Sequence, residues 1–384
     1  MGKINFRTVI GTVFLLALAG GSIYVFPSGL PQPADFLWVF WLVLVFAWLA
    51  SRPRRLSSRR LAVAIRVVWL LVLWVVIVSL VHAVLNVDLS FLRHPLFYIF
   101  NAAIFSAVML LGDRGGEKFS VQVSNSVIAA FAVMLAGLAI NFEGSLSRQT
   151  GGFNNPNQLG YFSLLLCAIF VLVGSTSVVW SLRGAFVFAA TLVCVGFSAS
   201  LTTMASVLPL FVAAALKVDR LSMLLRAGGV AAGVCVLGLP ILLMTSLGES
   251  LNRTLQSRLG LLGMKSDNVV ESRGYDRILD NPEYVVFGAG EGGLWRFGFE
   301  HQLEIHSSWG TMLFSYGVLG FVLFIALLIV LLRGRPLWVW LVVLAPSLYG
   351  LTHQGLRTTA LWVLLACVGW GVSSRSRTRE SKRC

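Results

Sequence analysis

The chain has 384 residues, of which 57% are hydrophobic and only 12% charged, and its mean hydropathy is +0.83. Soluble domains carry about a quarter charged residues, so this composition excludes an ordinary soluble enzyme, and 26 Phe with 12 Trp exclude a disordered chain. A net charge of +14 would favour nucleic acid as a partner of a soluble protein, whereas in a membrane protein it is interpreted through the positive-inside rule. We therefore expect an all-α, polytopic membrane protein that binds no nucleic acid.

Apolar runs separated by polar breaks predict about 12 transmembrane helices. They lie near residues 8–26, 36–50, 61–86, 95–111, 121–140, 157–174, 184–199, 203–216, 227–247, 307–332, 336–350 and 358–372. With both termini in the cytoplasm, 20 of the 30 Lys and Arg residues fall in loops on the inner side, and short outer loops hold only Arg93, Arg148 and Arg357. The sequence thus predicts a single integral membrane domain over residues 1–384, embedded in a lipid bilayer.

Residues 248–305 form a long segment without an apolar run, which the charge pattern places outside, between the ninth and tenth helices. Its leucines at 251, 255, 259 and 262 have helical spacing and predict an amphipathic helix. Residues 271–280 predict a second short helix, which ends before Asn281 and Pro282. We expect a periplasmic loop subdomain with short helices, because so long a connection without structure is uncommon in a compact protein.

All five histidines fall at the outer ends of predicted spans or in outer loops. A single such histidine is more often a solvated interface residue than a catalyst, but five of five on one side favour chemistry on the outer face. The sequence has no Cys-x-x-Cys, Asp-x-Asp or His/Asp cluster, so we expect no metal and no cofactor.

The first outer segment that stands out runs from Arg148 to Asn157, at the start of the sixth span. Asn155 followed by Pro156 predicts a helix start, with Asn as the N-cap and Pro in the first helical position. Helix capping alone explains these two residues. Arg148 beside that helix N-terminus adds a guanidinium to exposed N–H groups and predicts a place for an anion.

The second segment contains Arg273 and Arg277, four residues apart, followed by a glycine-rich run from Gly288 to Gly293. On one helix face, the two guanidinium groups would hold a diphosphate. The alternative is pairing with neighbouring acids, which this spacing favours when taken alone. The glycine run lacks the Gly-Lys-Ser/Thr ending of a phosphate-binding loop and predicts a tight turn instead.

The third segment is His306-Ser307-Ser308-Trp309, at the outer start of the tenth span, with Gly317 and Gly320 further along. The positive end of a helix dipole disfavours the imidazolium form, so His306 would be neutral and available as a base. An interface histidine beside a tryptophan of the aromatic belt is an equally good interpretation of this segment alone. Packing at the membrane interface is the commoner role of a tryptophan such as Trp309.

These residues resemble three motifs of the O-antigen ligase and O-antigen polymerase superfamily of bacterial membrane glycosyltransferases. The motifs are Arg-x-x-Gly-x-Phe-x-Asn-Pro-Asn, an Arg nine residues before a Pro and a Gly-x-Gly, and a His-Ser followed after nine residues by Gly-x-x-Gly. They appear here as Arg148 to Asn157, as Arg273 with Pro282 and Gly288 to Gly290, and as His306 with Gly317 and Gly320. The spans and the long outer loop are similar to that architecture over essentially the whole chain.

The resemblance implies the transfer of a glycan from undecaprenyl diphosphate to an acceptor sugar hydroxyl, on the periplasmic side of a bacterial inner membrane. It implies as partners an undecaprenyl-diphosphate-linked oligosaccharide, an acceptor glycan or lipid A-core, and a chain-length regulator. Arg148 and Arg273 would neutralise the leaving diphosphate, and His306 would be the base. Other substrate contacts would come from Arg277, Asn155, Asn157, Ser307 and Trp309. We expect a metal-independent, inverting reaction.

Two alternatives stay open. Within the superfamily, polymerisation of O-antigen or exopolysaccharide repeat units and ligation to lipid A-core use the same motifs, and the stretch from His306 to Gly317 favours a polymerase. From another class, a polysaccharide or lipid transporter of about 12 helices would also fit the hydropathy. Transporters of this size are usually built from repeated halves with ionisable residues at the membrane midplane, and this sequence shows neither feature.

Overall fold

A computed structural model describes residues 6–27, 29–52, 56–142, 148–218, 256, 260, 269–298 and 304–370. All regular structure in these ranges is helical, which confirms the predicted all-α class. The α-helices are α1 (Phe6–Gly20), α2 (Pro33–Ala50), α3 (Arg59–Leu85), α4 (Arg93–Ile140), α5 (Pro156–Val173), α6 (Thr176–Val179), α7 (Leu182–Ser198), α8 (Leu201–Leu216), α9 (Val269–Ser272), α10 (Asp276–Asp280), α11 (Tyr284–Phe287), α12 (Ser308–Leu332), α13 (Leu337–Thr352) and α14 (Thr359–Trp370). Short 3-10 helices cover Leu89–Leu92 and Leu294–Phe297.

Five helical stretches of the described chain are long and apolar enough to cross a membrane, judged by length and composition: α2, α3, Leu89–Ile140, α5 and α12. The helices α1, α7, α8, α13 and α14 are apolar but shorter. These helices support a membrane protein. The ninth predicted span, 227–247, and the four leucines of the helix predicted over 251–262 lie outside the described residues. The count of 12 spans therefore stays a prediction, as does the single domain with its periplasmic loop.

Most helix ends lie within about three residues of the predicted ones, and two differences are larger. The first helix ends at Gly20, six residues before the predicted end, where two consecutive glycines disfavour further helix. The fourth and fifth predicted spans form the single element α4, which is interrupted only at Gly116 (φ 51°, ψ −126°). The predicted polar connection between them is therefore a sharp kink.

The chain divides into two compact units, each described by itself. The first comprises residues 1–53, 115–264 and 336–346. Its centre is α5, which is buried along nearly its whole length and packs against α7 and α8. Lys217, at the end of α8, is buried as well, and its ammonium donates to the carbonyl of Gly174 at 2.7 Å, where α5 ends. A cation at the carbonyl end of a helix is favourable because it complements the helix dipole.

The second unit comprises residues 54–114, 265–335 and 347–384. In it α12 packs against α3 and α14. The helix α12 is broken at Gly317 (φ 66°, ψ −176°), so carbonyls before the break are released from the helical ladder. One of them, that of Tyr316, accepts a hydrogen bond from the indole Nε1 of Trp74 at 2.7 Å.

Candidate functional site

The segment from Arg148 to Asn157 lies in the first unit and forms the predicted helix start. The side-chain oxygen of Asn155 accepts from the backbone N–H of Asn157 at 2.8 Å, and Pro156 is the first residue of α5. Both features confirm the capping prediction. The backbone of Gly152 is fixed by the N–H of Tyr24, which donates to its carbonyl at 2.9 Å, and Phe153 packs against the ring of Tyr24.

Arg148 joins two helix ends within the first unit. Its Nε donates to the carbonyl of Ser198, the last residue of α7, at 2.8 Å, and its Nη2 donates to the side-chain oxygen of Asn157 in the first turn of α5. The guanidinium therefore lies beside a helix N-terminus, as the sequence suggested. This geometry brings together a cation and a helix N-terminus that favours anions.

Arg273 lies in a turn of the second unit, where a single helix over 271–280 was expected. That prediction is wrong, because Gly274 (φ 71°) separates α9 from α10 and the N–H of Tyr275 donates back to the carbonyl of Val270 at 2.9 Å. Arg273 and Arg277 therefore do not share one helix face. The helix α10 does end at Asp280, before Asn281 and Pro282, as predicted.

His306 lies next to Arg273. Its backbone N–H donates to the carbonyl of Arg273 at 2.9 Å, so the structure brings together two residues 33 positions apart. The imidazole of His306 is exposed, and its Nδ1 lies 2.6 Å from the carbonyl oxygen of Glu304. Among the described residues, neither the guanidinium of Arg273 nor the Nε2 of His306 has a hydrogen-bond or ion-pair partner. The backbones of Arg273 and His306 are thus joined, and the ring of His306 is held through Nδ1.

Ser307 is the N-cap of α12 and is fully buried. Its hydroxyl accepts from the backbone N–H of Gly310 and from the phenol of Tyr275, and it donates to the carbonyl of Gly350 at 3.0 Å. These contacts use the donor and both acceptor positions of the hydroxyl. Trp309 is also engaged, since its indole Nε1 donates to the carbonyl of Ser347 at 3.0 Å.

Arg277 is buried, only 3% exposed, and its guanidinium lies 5.1 Å above the ring of Phe297. It lines a cavity of about 20 Å³ in the second unit, together with Arg357, Glu291 and Glu304. Such a volume holds about one water molecule. Burial lowers the pKa of Arg277 below its ordinary value, although the carboxylates of Asp276 and Glu304 oppose that change.

The centre of this cavity wall is Glu291, whose functional importance the sequence did not indicate. Its carboxylate is buried and accepts from the phenols of Tyr98 at 2.6 Å and Tyr316 at 2.9 Å. Arg357 donates to the same carboxylate from Nε, at 3.0 Å, and from Nη2. Burial alone would raise the pKa of Glu291, but the charges of Arg357 and His94, with these hydrogen bonds, lower it to about 2. Glu291 is therefore a fully satisfied, buried carboxylate.

Arg357 has a second carboxylate partner. Its Nη1 lies 3.1 Å from Oε2 of Glu304, whose side chain is 46% exposed. Burial alone would lower the pKa of Arg357, but the two carboxylates raise it above its ordinary value. Arg357 thus links the buried anchor Glu291 to the residue that contacts His306. The sequence did mark Arg357, because it is one of three basic residues in the short loops that the charge pattern places outside.

The glycine-rich run is an irregular segment with a bend at Glu291, where a tight turn was predicted, and it docks on the broken helix. The N–H groups of Ala289 and Gly290 donate to the carbonyls of Phe314 and Ser315, at 2.9 and 2.8 Å, next to the break at Gly317. A Cβ added to Gly288 (φ 109°) would lie 2.6 Å from the carbonyl oxygen of Ser315. A larger residue would therefore separate the run from α12.

A second contact holds this run to the end of α3. The Nε2 of His82 lies 2.7 Å from the carbonyl oxygen of Gly288, and its Nδ1 lies 3.2 Å from Nη1 of Arg296. Arg296 also donates to the carbonyl of Ala289 at 2.7 Å. Because a carbonyl accepts and a guanidinium donates, His82 carries its proton on Nε2. His82 thus holds the glycine-rich run against the end of α3.

The structure thus collects Arg273, Arg277 and His306 in the second unit, with Glu291, Glu304 and Arg357, while Arg148, Asn155 and Asn157 lie in the first unit. No family model matches this chain, and a comparison with the curated proteins finds no match.

Proposed function

We propose that the chain is a membrane glycosyltransferase, which moves a glycan from undecaprenyl diphosphate to an acceptor sugar hydroxyl on the periplasmic side of a bacterial inner membrane and so polymerises repeat units of O-antigen or exopolysaccharide. The observation that carries this proposal is the pairing of Arg273 with His306. A backbone hydrogen bond of 2.9 Å joins them, and their functional atoms are not engaged by the described residues.

This pair suits a transfer whose leaving group is a diphosphate. The acceptor hydroxyl is a weak nucleophile, so its proton passes to His306 as its oxygen attacks the anomeric carbon of the donor. The bond from that carbon to the diphosphate breaks, and its electron pair leaves with the diphosphate, where Arg273 neutralises the developing charge. Attack on the face opposite to the leaving group inverts the anomeric carbon. The corresponding role of Arg148 stays a prediction from the resemblance.

The bilayer and the inner-membrane location belong to the same proposal. A donor with an undecaprenyl chain resides in a membrane, and the apolar helices of the described chain support a protein that resides there too. The 12 spans, the cytoplasmic termini and the outward-facing loop follow from the charge pattern of the sequence. A chain-length regulator and an acceptor glycan are the further proposed partners.

The test is a reconstituted transfer assay with a lipid-linked oligosaccharide as donor. We expect His306→Ala to lose activity by roughly 10²-fold or more, because general-base catalysis contributes that much. His301→Ala, five residues earlier and outside the motif, is the control and should retain activity. Products that lengthen in steps of one repeat unit support polymerisation, whereas a single transfer to lipid A-core would assign ligation. Near-wild-type turnover by His306→Ala would contradict the base mechanism.

A further inference from the structure

The carbonyl of Glu304 contacts one nitrogen of His306 and leaves the other without a partner among the described residues. The Nδ1 of His306 lies 2.6 Å from that carbonyl oxygen, which is within hydrogen-bonding distance. A carbonyl oxygen only accepts, so Nδ1 is the nitrogen that carries the proton in the neutral ring. The lone pair of the neutral imidazole is then on Nε2.

Glu304 is itself held by an ion pair. Nη1 of Arg357 donates to Oε1 of Glu304 at 3.2 Å and lies 3.1 Å from Oε2. The other nitrogens of the same guanidinium bond the buried carboxylate of Glu291, which two tyrosines fix in place. The exposed Glu304 is thereby tied to a buried carboxylate whose hydrogen bonds are all made.

His306 is restrained from its other side as well. Its backbone N–H is held by the carbonyl of Arg273, and the next residue, Ser307, is a buried helix cap. Two residues separate the backbone of Glu304 from this cap. The side chain of Glu304 and the cap at Ser307 are thus held at the two ends of a short segment, and within it the Glu304 carbonyl contacts the ring of His306.

We propose that the backbone carbonyl of Glu304 holds His306 as its Nδ1–H tautomer, that Nε2 is the atom which takes the acceptor proton, and that Arg357 and Glu304 are positioning residues for it. This inference rests on the proposed function for the proton transfer. Its structural part concerns the tautomer and stands apart from any transfer activity.

The tautomer is measured by NMR on the full-length protein, labelled with ¹⁵N in its histidines and reconstituted in lipid nanodiscs. The spectrum of His306→Gln identifies the two signals of His306 by difference. At pH 8 we expect Nδ1 to show the shift of a protonated nitrogen and Nε2 that of an unprotonated one. The opposite assignment, or an equal mixture, would overturn the inference even if the protein transfers glycans.

The positioning role is tested by Glu304→Gln, which keeps the backbone carbonyl and removes the charge that Arg357 binds. We expect kcat to fall about tenfold, with the KM for the lipid-linked donor within twofold, and a second tautomer to appear in the ¹⁵N spectrum. Glu283→Gln, an exposed acid of the same segment, is the matched control and should change neither readout. An unchanged kcat and an unchanged spectrum for Glu304→Gln would overturn the role of Arg357 and Glu304. If the wild type shows the expected tautomer but transfers no glycan, the proposed function is contradicted and the inference about the tautomer stands.

Discussion

At Glu291, a carboxylate is removed from water and its desolvation is offset by four partners. Tyr98, Tyr316 and Arg357 supply hydrogen bonds, and His94 lies with its Nδ1 3.5 Å away. Such a group stabilises a protein only as long as all its partners are present, because a buried charge left alone costs several kcal/mol. Removing the Glu291 carboxylate would also take from Arg357 one of its two carboxylate partners, and so leave the guanidinium poorly compensated.

The replacement Glu291→Gln should destabilise the protein by about 3 kcal/mol at neutral pH. The pKa of Glu291 is about 2 in the folded state and 4.5 in its ordinary environment, so the stabilisation is complete above pH 4.5 and is lost as the pH falls toward 2. Thermal melting of the detergent-solubilised protein at several pH values measures this. The difference in melting temperature between wild type and variant should shrink below pH 4.5, and a constant difference down to pH 2 would contradict the assignment.

The guanidinium of Arg273 is expected to recognise the diphosphate by its fork of donors, which a lysine lacks. We predict that Arg273→Lys lowers kcat/KM for the lipid-linked donor by roughly tenfold or more. Arg253→Lys, in the same outer segment, is the control and should retain activity. Equal tolerance of lysine at both positions would return Arg273 to a role in ion pairing.

Among the elements, α12 depends most on a departure from regular structure. Its break at Gly317 frees the carbonyls of Phe314 and Ser315, which then accept from the glycine-rich run. A continuous helix would direct those carbonyls to its own N–H groups and leave the run without partners. The irregularity of α12 is thus what attaches the outer segment to it.

Replacing Gly317 by Ala should detach this segment. A Cβ there would lie 2.5 Å from the carbonyl oxygen of Val286, and the φ of 66° is unfavourable for alanine. We expect the free energy of unfolding to fall by about 2 kcal/mol or more, and transfer activity to be lost. The helical Gly196 has open space around its Cβ position, so Gly196→Ala should leave both unchanged. Wild-type melting of Gly317→Ala would show that the break is dispensable.

Local signals in the sequence were sufficient for the helix ends at Asn155 and at Asn281, because caps and prolines act within a few residues. Local signals were insufficient where contacts between residues distant in sequence determine a helix break or the burial of a side chain. The break at Gly274 is stabilised by the turn in which Arg273 meets His306. Lys217 is one of the 20 basic residues that the charge pattern assigns to inner loops, yet it is buried against the carbonyl end of α5, a partner more than 40 residues away.

For the whole molecule, the apolar helices make a membrane the natural environment, and the orientation of the chain in it is the main open prediction. The charge pattern places residues 248–305 outside and the loop containing Arg183 inside. Both Glu283 and Arg183 are exposed and so suit chemical labelling.

We predict that a single cysteine at Glu283 reacts with a membrane-impermeant maleimide in intact spheroplasts. The same reagent should reach a cysteine at Arg183 only after lysis. The five native cysteines are replaced beforehand, and the described ones, Cys167, Cys194 and Cys367, are all buried. Reversal of the two labelling patterns would contradict the proposed topology and, with it, the periplasmic site.

The candidate site was predictable in part. Its Arg273 and His306 belong to motifs that the sequence displays, whereas Glu291 and Arg357 become a pair only through the fold, since 66 positions separate them. A buried carboxylate inside a glycine-rich run looks, in the sequence, like one more acid of an acidic loop. Pairing across such distances has no local signature, because it depends on how α4, α12 and the segment before α14 pack.

The docking of the glycine-rich run on α12 has a consequence for how this protein can change over evolution. Main-chain N–H and carbonyl groups make the two bonds from Ala289 and Gly290, and every amino acid except proline supplies both groups. Selection for this attachment therefore constrains the glycines, whose backbone must approach α12 closely. It leaves most neighbouring side chains unconstrained. Those side chains can therefore change in the course of evolution while the attachment of the glycine-rich run to α12 is kept.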